Sequence, residues 1–459
     1  MPRRIALFGG SFNPPGLHHR RIAEMLAQHF DEVRVVPCGP RPDKPGLNTV
    51  PAVFRAALCD ITFRELDRVT VDLFDLEQDT FTRNHDLEER FADLGEIWHV
   101  VGADWLAGGA QGESAIQTSW EQGSAMWQSS RFAVLTRPGH DLDTQDLPPQ
   151  HEFFPFELEE SSTKIRDLLL YGQNARHLLD ERAQNYIERY GLYRGTNPAT
   201  WSRGTLSNTH CLIEKDSQNE RAINWAQRLE AYAKDANPDF IVALGGDGTM
   251  LRAIREHWRQ RLPFFGINAG HLGFLMNAPE QVLPAPFPPQ DVIFRQLPLL
   301  YVEIEAEDGS IHSTYAFNDA WVERATSLSA WLEIHVNGIP RLPRLVSDGA
   351  LVSTAAGSTA YARSMGASPL LADTPAWLLV GSNVMEPANW KSALLSADAN
   401  VEIKCLEPAF RPVNAYVDGI AQGKVRSMRA RLSRAATVEI AFLANRDMAE
   451  KIAAIQFMR

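Results

Sequence analysis

Arg4-Ile5-Ala6-Leu7-Phe8-Gly9-Gly10-Ser11-Phe12-Asn13-Pro14-Pro15-Gly16-Leu17-His18-His19 decides how the first part of the chain folds. Arg4–Phe8 is a short apolar run of strand length, and the glycines and prolines after it can only be a turn. Ile22, Met25, Leu26 and Phe30 then recur at helical spacing, and Val33–Val36 returns to a β-branched run. Strand, turn, helix and strand within about 35 residues predict a βαβ unit of a parallel, doubly wound, Rossmann-like α/β sheet.

Outward from this unit, further strands are expected at Glu96–Val101 and Arg131–Leu135, with closing helices at Ser161–Tyr171 and Ala175–Tyr190. These bound a first domain, residues 1–194. The stretch 195–209, opening on Gly195-Thr196-Asn197-Pro198, reads as a linker. A second domain follows over 210–459. Its part 210–283 is α/β: a weak strand at Cys211–Glu214, a helix at Glu220–Ala233, a strong strand at Asp239–Leu244 and a helix at Thr249–Arg259. Past the proline-rich 284–289, alternating segments such as Leu300–Ile304, Trp331–Val336, Asn400–Cys405 and Thr437–Phe442 predict a largely β part over 284–440, with 441–459 as a C-terminal segment.

A length of 459 residues asks for several cores. The net charge of −12 argues against nucleic acid or an anionic membrane as partner, because those surfaces call for a basic field. No apolar stretch reaches bilayer length and the N-terminus has no signal-peptide pattern, so a cytoplasmic protein is expected. The four cysteines lack metal-ligand spacing and are expected as reduced structural thiols.

The glycine turn at Gly9-Gly10 lets backbone N–H groups approach a phosphate, and the helix after it adds a positive dipole end. A histidine there can donate to a nucleotide phosphate as charge builds. The bland alternative is a tight turn with surface histidines. The segment resembles the GGSFDPPHxGH signature of the nicotinamide/nicotinic acid mononucleotide adenylyltransferases, within the HxGH nucleotidyltransferase group. Ser161-Ser162-Thr163-Lys164-Ile165-Arg166 is similar to that family's ISSTxIR motif, Gly102-Ala103-Asp104 to its nucleoside-contacting loop, and Tyr186–Tyr193 to its C-terminal end. The likeness covers roughly 3–194. It implies that His19 and Arg166 are catalytic, and that Gly10, Ser11, Phe12, His18, Lys44, Asp104, Ser162 and Thr163 bind nucleotide. Trp120, which precedes Arg137-Pro138-Gly139, is implied to stack on the pyridine ring. Two departures stand out: Gly16 occupies the first histidine's place and His18 the glycine's. Arg41-Pro42-Asp43-Lys44 echoes the family's PPHK segment with aspartate for histidine.

Asp239–Leu244 runs into Gly245-Gly246-Asp247-Gly248-Thr249, a buried strand opening on a glycine turn that bears a carboxylate. Such a turn can cradle phosphates while Asp247 activates a hydroxyl or holds Mg²⁺. The alternative is an aspartate that merely caps the helix. Gly266-Ile267-Asn268-Ala269-Gly270-His271-Leu272-Gly273-Phe274-Leu275, Phe317-Asn318-Asp319, Ser347-Asp348-Gly349 and Gly357-Ser358-Thr359-Ala360-Tyr361 follow in the order of the NAD kinase family, which about 235–420 resembles. The resemblance implies Asp247 as the group acting on the adenosine 2′-hydroxyl of NAD. It further implies Gly246, Gly248, Thr249, Phe274, Asn318, Asp319, Asp348, Ser358, Thr359, Ala360 and Tyr361 as nucleotide-binding residues. Ala355-Ala356 departs from the family's Pro and Thr/Ser, and Glu386-Pro387-Ala388-Asn389-Trp390 stands in a stretch that lacks its Pro-His pattern.

The expectation is a bifunctional enzyme of pyridine-nucleotide metabolism, converting nicotinamide or nicotinic acid mononucleotide to NAD and NAD to NADP. Its small-molecule partners would be ATP, NMN or NaMN, and NAD. Mg²⁺ would be carried mainly by nucleotide phosphates, and the kinase resemblance implies a homo-oligomer. Two alternatives stay open: an NAD kinase with a degenerate, regulatory adenylyltransferase domain, and a non-catalytic sensor of NAD(P).

Overall fold

The computed structural model describes residues 2–41, 50–136, 143–156, 160–206, 210–230, 237–270, 273–279, 290–444 and 451–453. The chain forms two units, Met1–Ala199 and Thr200–Arg459.

The first unit is built on six strands: β1 (Arg4–Gly10), β2 (Glu32–Pro37), β3 (Val69–Val71), β4 (Glu96–Gly102), β5 (Arg131–Thr136) and β6 (His151–Pro155). All pair in parallel, in the order β3-β2-β1-β4-β5-β6. Strand order therefore reverses between β1 and β4, and an open α/β sheet of this kind leaves its ligand crevice outside the carboxyl ends of those two strands. Both the glycine turn after β1 and Gly102-Ala103-Asp104 at the end of β4 lie at that switch point. The apolar strand residues predicted from sequence are buried, Ile5, Ala6, Val33 and Val35 completely. The first helix, Leu17–Leu26, turns His18, Ile22, Ala23 and Leu26 inward. Helix Ala52–Phe63 packs with Glu181–Tyr190 in one apolar cluster that includes Phe54, Leu58, Tyr186 and Tyr190. The expected helix Ala175–Tyr190 is broken. Arg176–Leu178 is a single 3₁₀ turn, and Asp180 starts a new helix by accepting the Arg182 N–H at 2.9 Å.

The α/β part of the second unit contains β8 (Cys211–Lys215), β9 (Phe240–Gly245), β10 (Phe264–Asn268) and the two-residue β11 (Met276–Asn277), all parallel. The stretch read as linker is not all linker. Trp201–Leu206 forms β7, because its partner is the long β12 (Gln290–Ala306) across an antiparallel register from Gln290↔Leu206 to Arg295↔Trp201. The β-rich part continues with β13 (Ile311–Ala316), β14 (Asp319–Arg324), β15 (Ala330–Val336), β16 (Ile339–Ser347) and β17 (Gly349–Ser353). It closes with β18 (Ala376–Ser382), β19 (Ser392–Ser396), β20 (Asn400–Cys405), β21 (Val413–Val417) and β22 (Ile420–Leu443).

β22, 24 residues long, overturns the expected boundary at 440. Its first half pairs β20 and β21, β12 runs antiparallel to it from Val425 to Leu443, and Ile440↔Phe264 adds the parallel β10. One strand thus enters the cores of both parts: Val425, Met428 and Ala430 join the β-rich cluster, and Val438, Ile440 and Phe442 join the cluster around the helix Asp247–His257. Among the described residues, no helix is long and apolar enough to cross a membrane. All four cysteines are free thiols, and Cys38, Cys59 and Cys211 are buried.

Candidate active sites

In the first unit, motifs far apart in sequence meet at one turn. Ser162 Oγ donates to the Pro14 carbonyl at 2.9 Å, and the Arg166 guanidinium donates to the Asn13 carbonyl at 2.7 Å and to Thr163 Oγ1 at 3.0 Å. Ser161 caps the helix Ser162–Leu170 by accepting the Lys164 N–H, which fixes where Ser162, Thr163 and Arg166 start from. From the end of the unit the buried Tyr193 hydroxyl donates to Asn13 Oδ1 at 2.8 Å. Burial holds this phenol well above the ordinary tyrosine range, so it stays a donor.

His19 is oriented by its own helix start. The Gly16 N–H donates to His19 Nδ1 at 3.1 Å, so the neutral ring carries its proton on Nε2 and can offer it to an oxyanion. The ring is flanked by Phe12 and His18, with centroids 5.0 and 3.9 Å away. His18 is buried, not a surface residue. A Cβ on residue 16 would lie 2.7 Å from His18 Nδ1 and 2.7 Å from Ile165 Cδ1. The glycine at 16 and the histidine at 18 are therefore one coupled departure: the imidazole fills the space that a side chain on residue 16 would enter.

Sequence reasoning missed Arg55. It is 3 % exposed, and its guanidinium donates to the Ser11 carbonyl at 3.2 Å and the Cys38 carbonyl at 2.7 Å, binding the loops after β1 and β2 together. An arginine inside the mostly apolar run 52–59 was the available signal. Burial pushes the Cys38 thiol up, partly opposed by Arg55, so it is no ready nucleophile. Trp120 is half-buried beside His99, Trp105 and Phe132. Asp104 is exposed at the end of β4, while Lys44 and Arg137-Pro138-Gly139 lie outside the described residues.

In the second unit, β9 ends at Gly245 and the helix Asp247–His257 starts two residues later. Gly245 has φ 159°, and a Cβ there would lie 2.2 Å from Thr249 Oγ1, so this turn needs glycine. Asp247 does not cap its own helix. Its Oδ2 accepts the Phe274 N–H at 2.8 Å and its Oδ1 the Leu275 N–H at 2.9 Å, which ties the β9 turn to the segment after β10. Burial raises the carboxyl above its ordinary range, with the two N–H bonds and Lys451 pulling the other way. The result is an oriented carboxylate with lone pairs left over and a greater basicity than a surface aspartate.

Asn318 and Asp319 belong to a second cluster. The buried Asp418 carboxylate accepts the N–H groups of Phe317, Asn318 and Asp319 at 2.7, 2.8 and 3.2 Å. Its own carbonyl accepts from Arg255 at 3.1 Å, which links this cluster to Asp247's helix. Burial raises Asp319 to about 7, with the Asp418 charge adding to the effect. The 353–360 turn closes over the same strand end: Thr354 Oγ1 donates to the Phe317 carbonyl at 2.7 Å and Ser353 Oγ to the Asn318 carbonyl at 3.2 Å. Ser358 is buried with its hydroxyl donated to the Ala355 carbonyl, whereas Ala360 and Tyr361 are exposed. Tyr361 packs edge-on against Trp321, which stacks on Tyr416. Both Asp348 oxygens are engaged, by Arg324 at 2.5 Å and by Asn383 at 2.7 Å. Among the described residues one group of potential metal donors, Glu214, Glu256 and His257, comes together, and Asp247 is not part of it.

The model of the ATP-NAD kinase N-terminal domain matches residues 196–285, and the cytidylyltransferase-like model matches residues 7–168. The NAD kinase of Rickettsia bellii (strain OSU 85-389) is 32% identical over 246 residues, covering 54% of this chain and 96% of that protein. The chain belongs to the NAD kinase family. The NAD kinase of Rickettsia akari (strain Hartford) is similar to the same degree, 32% over 248 residues. Solved structures with a likeness include yeast NADH kinase complexed with NADH, at TM-score 0.45 and 20% identity over 55% of this chain and 89% of that one. An NAD kinase from Archaeoglobus fulgidus in complex with ATP aligns at TM-score 0.40 and 22% identity, over 54% and 99% of the two chains. The NAD kinase portion of the chain is thus preceded by a nucleotidyltransferase-like domain, as the order of motifs led one to expect.

Proposed function

We propose that the second unit phosphorylates the 2′-hydroxyl of NAD to give NADP, and that the first unit transfers AMP from ATP to a pyridine mononucleotide to give NAD. The observation that carries the kinase reading is Asp247, a raised carboxylate fixed by two peptide N–H groups at the end of β9, beside a glycine turn and a helix start. The 2′-hydroxyl attacks the terminal phosphorus of ATP or polyphosphate. Its proton passes to Asp247, and the shortened phosphate chain leaves with the electrons of the broken P–O bond. ATP enters as its Mg²⁺ complex, and Gly246, Gly248 and Thr249 leave backbone room at the helix start for its phosphates. Asn318, Asp319, Asp348 and the Ser358–Tyr361 turn take the dinucleotide. The relatives that bear the NAD kinase name support this reading.

For the first unit the support is the clamp of Ser162, Thr163 and Arg166 on the turn that carries His19. A mononucleotide phosphate oxygen attacks the α-phosphorus of ATP and pyrophosphate leaves. His19 Nε2 and Arg166 stabilise the charge that builds on the phosphates. Production of NAD in the same chain that consumes it favours nicotinamide mononucleotide over its acid as substrate. The regulatory reading of this unit rests on Gly16 and Asp43; the paired His18 answers the first, and Asp43 lies outside the described residues.

The test is the purified chain with ATP, Mg²⁺ and either a mononucleotide or NAD. NADP from NAD, with NAD from NMN, is the expected result. NADP formation without any dinucleotide synthesis would reduce the first unit to a regulator, and absence of both would leave a nucleotide sensor.

A further inference from the structure

Lys451 lies far from every motif of the kinase site, yet its ammonium reaches the segment that holds Asp247. Nζ donates to the Gly273 carbonyl at 3.3 Å, to the Phe274 carbonyl at 3.3 Å, and also to the Met276 carbonyl. The Gly273 carbonyl and the Phe274 N–H belong to one peptide unit; the Phe274 carbonyl and the Leu275 N–H belong to the next. Both units donate to Asp247, the first to Oδ2 and the second to Oδ1. Two consecutive peptide dipoles therefore stand between an ammonium at their oxygen ends and a carboxylate at their N–H ends. Each is favourably aligned with both charges. A flip of either peptide would turn a carbonyl toward the carboxylate and an N–H toward the ammonium, so the lysine locks what the aspartate needs. The lysine is itself held: its neighbour Ile452 is 4 % exposed and sits in the cluster that contains Met250, Leu275 and Met276.

We propose that Lys451 is a positioning residue of the phosphoryl-transfer site, acting on Asp247 through the Gly273–Phe274 and Phe274–Leu275 peptides. This rests on the reading of Asp247 as the base for NAD. Lys451 touches no substrate. It fixes the direction in which the Asp247 lone pairs face the 2′-hydroxyl, a requirement of the transition state more than of binding, so its loss falls on kcat and spares KM.

The test compares Lys451→Met, Lys451→Arg and Ile452→Ala in the full chain, by kinetics of NADP formation, thermal unfolding and hydrogen exchange at the Phe274 and Leu275 amides. Lys451→Met is expected to lower kcat about tenfold or more with KM for NAD within about twofold, and to speed exchange at both amides about tenfold. Lys451→Arg, which keeps the charge and the donors, restores most of both. Ile452→Ala lowers the unfolding temperature without the same drop in kcat. A Lys451→Met enzyme with unchanged kcat, a rise in KM alone, or an arginine variant as impaired as the methionine one overturns the proposal. Should the parent chain make no NADP, the kinase reading fails by itself. The exchange measurement then decides the lysine relay alone: unchanged protection of the two amides in Lys451→Met ends it.

Discussion

Asp319→Asn should flatten the dependence of the second unit's stability on pH. Asp319 is 4 % exposed, and burial together with the Asp418 charge holds its carboxyl at about 7 against an ordinary 3.8. The folded protein therefore keeps a proton that the unfolded chain gives up. For a group raised in this way the stabilising contribution is complete below the unfolded value and is lost as pH rises through the folded one. A rise of about 3 units corresponds to about 4 kcal/mol at full loss, at 1.36 kcal/mol per unit. Between about pH 5.5 and pH 8.5 only the stretch up to the folded value still counts, about 1.5 units, or about 2 kcal/mol. For a unit of this size that is a fall of roughly 4–8 °C in Tm. Calorimetry of wild type and variant at both pH values is the assay, and the transition that the substitution moves is the second unit's. The wild type should lose about 2 kcal/mol more than the variant across the interval. Parallel pH profiles would show that Asp319 titrates in the ordinary carboxylate range, and would refute the argument that burial and Asp418 together keep its proton on.

Three further substitutions probe the sites. Asp247→Asn should cut kcat for NADP formation by about 10²–10⁴ while NAD synthesis from NMN persists, and a variant that still makes NADP at the parent rate removes Asp247 from its role. Gly16→His should crowd His18 and Ile165 and cost about 1–3 kcal/mol of first-unit stability. The reciprocal pair Gly16→His with His18→Gly should recover part of it in the same melting assay, and a pair no better than the single change contradicts the coupling. Arg55→Met strands the buried Cys38 carbonyl at about 1–3 kcal/mol and leaves the half-buried Ser11 carbonyl to water. It should lower first-unit stability and raise KM for ATP, and an unaltered urea midpoint and KM would show that the loops hold without it.

The turns after β1 and β9 could be read from sequence because glycine, proline and a single charged residue are confined there by backbone geometry, which is local. The same locality places the helix that begins at Ser162. What sequence did not disclose depends on pairing across long separations. β7 is a weak strand by composition and exists because β12 offers it an edge. The Asp319–Asp418 cluster joins residues 99 apart, and Lys451 meets Gly273 across 178 positions. No spacing rule carries such contacts. Arg55 was visible as a charge in a mostly apolar helix, but its direction is set by two carbonyls on different loops. The Gly16–His18 exchange needed the imidazole's position before two departures could be seen as one.

β22 also constrains how the second unit can be made. Among the described residues it follows every other strand, yet it is the piece against which β10, β12, β20 and β21 are laid. Until Ile420–Leu443 has emerged from the ribosome, those four strands present open edges with nothing between them, and edges of that kind invite pairing with the wrong chain. The unit must therefore gather itself late and all at once, so slow refolding and a call on chaperones during synthesis are to be expected of it.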